Sequence, residues 1–83
     1  GKASQLMNNP AWQGSAYYRD GQYDKAAEAY NQDNSANGHY NRGNALAKQG
    51  KYQQALNAYN QALQKSPELS DAQHNRKLIE KLL

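Results

Sequence analysis

The chain has 83 residues and a formal net charge of +3 at pH 7, a length that accommodates one small domain. It contains no cysteine, which excludes disulfide frameworks, cysteine-based zinc sites and thiol nucleophiles. Valine, threonine and phenylalanine are also absent, and Ile79 is the only β-branched residue, so a strand-rich fold is not expected. The apolar mass lies mainly in 13 alanines and 7 tyrosines. Because alanine favours helix, we expect an all-α protein.

Two helices are predicted before a turn at residues 33–35. The first extends over residues 10–20 and ends at Gly21, because glycine can adopt the left-handed conformation that closes a helix. Tyr23 follows almost at once, and so short a connection makes the two helices antiparallel. Ser35 or Asn34 is expected to cap the next helix.

A second hairpin is predicted from the same signals. Its first helix extends over residues 36–49 and ends at Gly50. From Tyr52 onward the apolar residues recur at helical spacing, which predicts an amphipathic helix with one buried face. The residues of that face are Ala55, Leu56, Tyr59, Ala62 and Leu63.

The last predicted helix covers the face that the second hairpin leaves open. Ser66 followed by Pro67 is typical of a helix start, and Ser70 is a competing start. We expect the helix over residues 70–83 to close the stack of helices. Its expected packing residues are Ala72, Asn75, Leu78, Ile79, Leu82 and Leu83.

The chain repeats itself at an offset of 29 residues. Gly14 and Gly43 correspond, as do Gly21 and Gly50, and the run ending in Tyr30-Asn31-Gln32 recurs at Tyr59-Asn60-Gln61. Internal similarity of this kind is the signature of a repeat architecture. The full repeat, residues 36–67, resembles the tetratricopeptide repeat family through Gly43, Tyr52, Ala55, Tyr59, Ala62 and Pro67.

The resemblance implies a single domain over residues 1–83, built as a fragment of a right-handed α-solenoid. Residues 1–9 are expected to be the remnant of a preceding repeat, 10–34 a shortened repeat, 36–67 a full repeat and 70–83 a capping helix. Five residues are missing after Tyr30 relative to the next copy, so the second helix should be shorter by ~7 Å. Gly43 and Ala55 are expected where the paired helices cross, since small residues allow close approach.

A narrower resemblance rests on three phrases, at residues 9–14, 18–23 and 39–47. They are similar to the repeat region of bacterial membrane proteins that also carry a von Willebrand factor A domain, the aerotolerance-operon or BatB-like proteins. This resemblance implies a soluble domain of a membrane-anchored protein, with the periplasmic face favoured over the cytoplasmic one. No apolar run of this segment is long enough to span a membrane itself.

The family resemblance implies a protein or peptide partner held in a concave groove lined by the first helix of each pair. Asn41 and Asn44 match positions at which chaperone-binding members hold a peptide backbone or terminal carboxylate. Ala11 and Tyr40 occupy places where that clamp would have lysine, so a complete clamp is not expected. Packing between repeats is the alternative for Tyr40. The groove candidates are Trp12, Ser15, Tyr18, Arg19, Asn37, Tyr40, Asn41, Asn44, Lys48, Asp71, His74 and Asn75.

The sequence gives little support for a catalytic or a metal-binding function. His39 and His74 lack cysteine partners, a His-x-x-x-His spacing or clustered carboxylates. His39 stands where the family has a packing aromatic residue, so a helix contact is expected there. No phosphate-binding loop or nucleophile elbow is present. We therefore expect no enzyme, no cofactor and no metal.

Two alternatives to peptide binding remain open at this point. A self-assembling or spacer module is one, because about three repeats are normally needed for stability and the exposed N-terminal face could pair with a second copy. A basic nucleic-acid-binding repeat is the less favoured one, since Lys and Arg are spread from Lys2 to Lys81 without a patch.

Overall fold

The computed structural model describes residues 9–83, and within this range the regular structure is entirely α-helical. The expected all-α architecture is therefore confirmed. The remnant predicted at residues 1–9 lies outside the described residues except for Asn9. The helices are α1 (Pro10–Arg19), α2 (Tyr23–Tyr30), α3 (Ala36–Lys48), α4 (Tyr52–Lys65) and α5 (Ser70–Leu82).

Two glycines form the sharp turns inside the hairpins. Gly21 and Gly50 have φ angles of 76° and 77°, in the left-handed region that glycine adopts without a steric penalty. The amide of Gln22 then donates to the carbonyl of Tyr17 at 2.9 Å, and the amide of Lys51 donates to that of Leu46 at 3.0 Å. These are the closing bonds of a Schellman motif, so both hairpins turn in the same way.

A tyrosine ring packs on a glycine in each hairpin. A Cβ atom placed on Gly14 would lie 2.4 Å from Cε1 of Tyr30, and one on Gly43 would lie 2.6 Å from Cε1 of Tyr59. Ala55, on the helix that faces Gly43, has no exposed surface. The expected crossing at Gly43 and Ala55 is confirmed, because only small residues leave room for the ring.

The core combines small and aromatic side chains. Tyr30 and Tyr59 are almost completely buried and supply bulk, while alanines occupy the positions where helices approach one another. Leu46 and Ile79 are the buried large aliphatic residues. Alanine and tyrosine thus fill the space that valine, leucine and phenylalanine fill in most cores.

The first hairpin is the shorter one, as predicted. Helix α2 has 8 residues and α4 has 14, a difference of ~9 Å at 1.5 Å per residue. The chain turns after Tyr30, and Ser35 then caps α3 by accepting a hydrogen bond from the amide of Gly38 at 3.0 Å. The cap predicted at Ser35 or Asn34 is therefore at Ser35.

The start of α5 corrects one prediction. Ser66 with Pro67 does not begin a helix: the amide of Ser66 still donates to the carbonyl of Ala62 in α4, and its hydroxyl donates to Oε1 of Glu68 at 3.0 Å. The helix begins at Ser70, the competing start, without a side-chain cap. The hydroxyl of Ser66 donates to the Glu68 carboxylate and, within residues 9–83, accepts from no backbone amide of a following helix, so Ser66 does not act as a cap.

The packing face of α5 also differs from the prediction. Ala72 and Ile79 are buried as expected, but Leu78, Leu82 and Leu83 are exposed. The helical spacing predicts an apolar stripe but not how much of the stripe is covered. In the structure the neighbouring hairpin covers only one edge of it. None of the helices in residues 9–83 is long and apolar enough to cross a membrane.

Candidate functional site

Two adjoining pockets lie along α1, α3 and α5. The first, of about 420 Å³, is lined by α1 and by Tyr30 of α2. The second, of about 480 Å³, is lined by α3, α4 and α5. Tyr18 lines both pockets and so joins them into one surface, which we call the groove. Its lining residues are Ala11, Trp12, Ser15, Tyr18, Arg19, Tyr30, Asn44, Ala47, Lys48, Tyr52, Tyr59, Asn75, Leu78, Ile79 and Leu82.

Large apolar side chains of the groove are open to solvent. Trp12 is 53% exposed, Leu78 46% and Leu82 59%. Tyr18 is half-buried and packs edge-to-face on Tyr23, with the ring centroids 5.2 Å apart. Exposed apolar residues that share one surface are typical of interaction sites, because leaving them in water is unfavourable.

A hydrogen-bond network forms the floor of the groove between α3, α4 and α5. Oδ1 of Asn44 accepts from the hydroxyl of Tyr59 at 2.6 Å and from Nδ2 of Asn75 at 3.0 Å. Nδ2 of Asn75 also lies 3.4 Å from the hydroxyl of Tyr40. Burial raises the pKa of Tyr59 to about 12, so its hydroxyl keeps the proton that it donates to Asn44.

The first hairpin carries a simpler form of the same contact. Ser15 stands 29 residues before Asn44, and Tyr30 stands 29 before Tyr59. Oγ of Ser15 and the hydroxyl of Tyr30 are 3.1 Å apart and hydrogen-bonded. In each hairpin, the tyrosine that packs on the glycine thus also forms a hydrogen bond with the residue that follows this glycine.

Basic residues supply the charge of the groove. Arg19 and Lys48 are both exposed, and they stand 29 residues apart at corresponding positions. Among residues 9–83, they are the only charged residues that line the groove. Within the described part of the chain, no hydrogen bond or ion pair engages either side chain.

The structure brings together seven of the twelve predicted site residues: Trp12, Ser15, Tyr18, Arg19, Asn44, Lys48 and Asn75 line the groove. Tyr40 lies in the floor, where it bonds to Asn75 and its ring centroid is 6.0 Å from that of Tyr59. These contacts fit the alternative interpretation, in which Tyr40 packs between repeats. Tyr40 itself lines neither pocket, and the same holds for four other predicted residues: Asn37, Asn41, Asp71 and His74.

Eight lining residues were not among the predicted site residues: Ala11, Tyr30, Ala47, Tyr52, Tyr59, Leu78, Ile79 and Leu82. The two leucines were assigned to packing, because the helical period does not distinguish a covered edge from an open one. Ala47 was available from the repeat itself, since it stands 29 residues after Tyr18. Tyr52 was recognised as the start of a helix and as a residue typical of the family, but not as a groove residue.

His39 lies away from the groove, in the first turn of α3. Its Nε2 is 3.0 Å from Oδ1 of Asn34, so the imidazole takes part in a local hydrogen bond, and the helix contact expected for it stays a prediction. Burial lowers the pKa of His39, and the nearby charges of Arg42 and Lys65 lower it further. Residues 9–83 contain no group of three or more side chains placed to hold a metal ion.

A third pocket, of about 450 Å³, lies on another face, between α2, α3 and α4. At one end Nη1 of Arg42 donates to Oδ1 of Asn31 at 2.5 Å, and Nη2 donates to Oε1 of Gln61. Arg42 thus links the end of the short helix α2 to α4. The charged lining residues are balanced in sign: Asp24, Glu28, Arg42 and Lys51.

Comparison with known protein families agrees with this geometry. One tetratricopeptide repeat model matches residues 36–69, and a second matches residues 12–32. The two matches fall on the two hairpins. No curated protein matches the chain significantly, and the narrower BatB-like resemblance stays a prediction.

Proposed function

The chain belongs to the tetratricopeptide repeat family, and from this premise we propose that it binds a peptide or protein segment in the groove formed along α1, α3 and α5. Repeats of this family generally mediate protein–protein interaction and are generally non-catalytic. The proposed organisation is one domain, with a shortened repeat over 10–34, a full repeat over 36–67 and a capping helix over 70–83.

The observation that carries the proposal is the exposure of Trp12, Leu78 and Leu82 along one surface. Burying such side chains against a partner is favourable by ~25 cal/mol per Å² of apolar surface. The pocket between α2 and α4 offers a weaker case, because its charges are balanced and its large aliphatic lining residue, Leu46, is already buried.

A selection from a displayed library of random linear peptides tests the proposal. We expect the protein to recover peptides whose affinity falls at least about tenfold in the Leu78→Gln/Leu82→Gln variant, because both leucines are exposed groove residues. The matched control is Glu28→Gln/Gln54→Ala, at the pocket between α2 and α4. Equal loss in both variants, with unchanged helical circular dichroism, would refute groove binding.

The proposed setting is a larger, membrane-tethered bacterial protein, with this domain on the periplasmic side. Its support is the resemblance of residues 9–14, 18–23 and 39–47 to BatB-like proteins. Fractionation of the source cells tests it: the protein should sediment with membranes and need detergent for release. A protease added to spheroplasts should degrade the domain if it faces the periplasm, and full protection would place it in the cytoplasm.

Self-assembly is the second candidate function, favoured by the exposure of Leu78, Leu82 and Leu83 at the end of α5. A second copy that covered these leucines would bury them as a peptide would. Sedimentation across a concentration series separates the two functions: an unchanged monomer at every concentration excludes assembly. A nucleic-acid partner is not proposed, because Arg19 and Lys48 form no extended basic stripe in the described groove.

A further inference from the structure

We propose that the groove selects segments in which acidic side chains stand beside apolar ones, and that Arg19 and Lys48 pair with those acidic side chains. The inference rests on the proposed function, since it names the chemistry of the segment that the groove would bind. It commits to a protein segment with at least one aspartate or glutamate flanked by apolar residues.

The first support is the sign of the charges. In the described part of the chain, every charged side chain that lines the groove is basic, whereas the pocket between α2 and α4 has two acidic and two basic lining residues. The groove therefore presents a positive potential to an approaching segment, which favours carboxylates and disfavours lysine and arginine.

The second support is that both cations are available. Arg19 and Lys48 are exposed, and neither is paired within residues 9–83. The described part of the chain forms an ion pair elsewhere, where Nε of Arg76 lies 3.4 Å from Oε1 of Glu80. A carboxylate from a partner would thus meet these cations without displacing an internal acidic residue.

The third support is the repeat geometry. Arg19 directly follows Tyr18, and Lys48 directly follows Ala47, at corresponding positions of the two repeats. One cation lines each pocket, and Tyr18 lines both. A segment that crosses both pockets therefore meets one cation per repeat, next to an apolar surface that includes Trp12 at one end and Leu78 at the other.

The fourth support concerns the polar floor. The side-chain oxygen of Asn44 already accepts two hydrogen bonds, from Tyr59 and Asn75. Asn75 donates into the same network. Because these side chains hold the helices together, charge recognition by the groove falls to Arg19 and Lys48.

Sequencing of the peptides recovered from the random library, followed by affinity measurements, tests the inference. We expect the peptides to be enriched in aspartate or glutamate next to apolar residues. Their affinity should fall about tenfold in Arg19→Glu or Lys48→Glu, because each change replaces an attraction by a repulsion. The matched control is Lys51→Glu, which makes the same charge change at the pocket between α2 and α4 and should alter affinity by less than about twofold.

The outcomes separate the two proposals. Peptides that need Leu78 and Leu82 but show no acidic enrichment, or that respond equally to Lys48→Glu and Lys51→Glu, would overturn the charge selection and leave groove binding intact. Recovery of no groove-dependent peptide would overturn both. Added salt should weaken the acidic peptides, since it screens exposed charges, and affinity that is insensitive to salt would contradict the inference.

Discussion

At the scale of single residues, Gly43 sets how closely α3 and α4 approach. An added Cβ would lie 2.6 Å from the ring of Tyr59, and that ring is 2% exposed and cannot move aside. We expect Gly43→Ala to lower the free energy of unfolding by ~1–3 kcal/mol through overpacking, measured by urea denaturation. In a Tyr59→Leu background the same change should cost clearly less, and an undiminished cost would show that the ring is not the obstacle.

His39 gives a second prediction at this scale. Its pKa is lowered in the folded protein by burial and then by Arg42 and Lys65, against an opposing effect of Asp33. The unfolded chain therefore takes up a proton at higher pH than the folded one, so stability falls as pH drops through ~6.5 toward the lowered value.

We expect the free energy of unfolding to fall more between about pH 7 and about pH 5 in the wild type than in His39→Gln, which cannot titrate there. Urea denaturation at the two pH values measures the loss of stability in each protein. Identical losses would mean that other groups, and not His39, carry the pH dependence.

The repeat pattern allowed some residue positions to be predicted and hid others. Gly43 and Ala55 were predictable because steric exclusion at a crossing leaves few residue types. The engagement of Asn44 by Tyr59 and Asn75 was not, since hydrogen-bond partners 15 and 31 residues away depend on how the helices stack. The exposure of Leu78 could not be predicted for the same reason, because it depends on whether a neighbouring helix covers the side chain.

At the scale of elements, Ser35 fixes where α3 begins. Its Oγ accepts from the amide of Gly38 at 3.0 Å, and loss of such a cap costs ~1 kcal/mol. We expect Ser35→Ala to lower the free energy of unfolding by about that amount in urea denaturation. Ser70→Ala is the matched control, because Ser70 begins α5 without a side-chain cap. A cost as large for Ser70 as for Ser35 would contradict this interpretation.

The boundary before α5 shows why Ser66 with Pro67 is not a helix start here. The two residues open only a single turn, which the amide of Leu69 closes by donating to the carbonyl of Ser66 at 3.1 Å. The hydroxyl of Ser66 donates to Glu68 and does not accept from a backbone amide in the described part of the chain, so it caps no helix there. The shortness of α2, in contrast, was visible as missing residues in the repeat and needed no tertiary information.

At the scale of the whole molecule, each helix packs mainly against its neighbours in sequence. Stability in such an arrangement is close to a sum over adjacent units. We expect Ile79→Ala, a buried site in α5, to lower stability by ~2–5 kcal/mol. Amide hydrogen exchange should show the loss of protection concentrated in α4 and α5.

Helix α1 tests whether stability is a sum over adjacent helices. Its amides should change little in Ile79→Ala, because α1 packs mainly against α2 and meets α5 only across the groove, at Tyr18. A uniform loss of protection across all the helices would instead indicate that the chain opens as a single cooperative unit.

The exposure of Trp12 makes the groove its own optical reporter. It is the only tryptophan of the chain, it is 53% exposed, and it lines the pocket beside Tyr18 and Arg19. Its fluorescence emission should shift to the blue when a segment covers it, whereas unfolding uncovers the rest of the ring and should shift the emission to the red. Binding and unfolding can therefore be followed separately in one cuvette, the first by tryptophan emission and the second by circular dichroism, without a label.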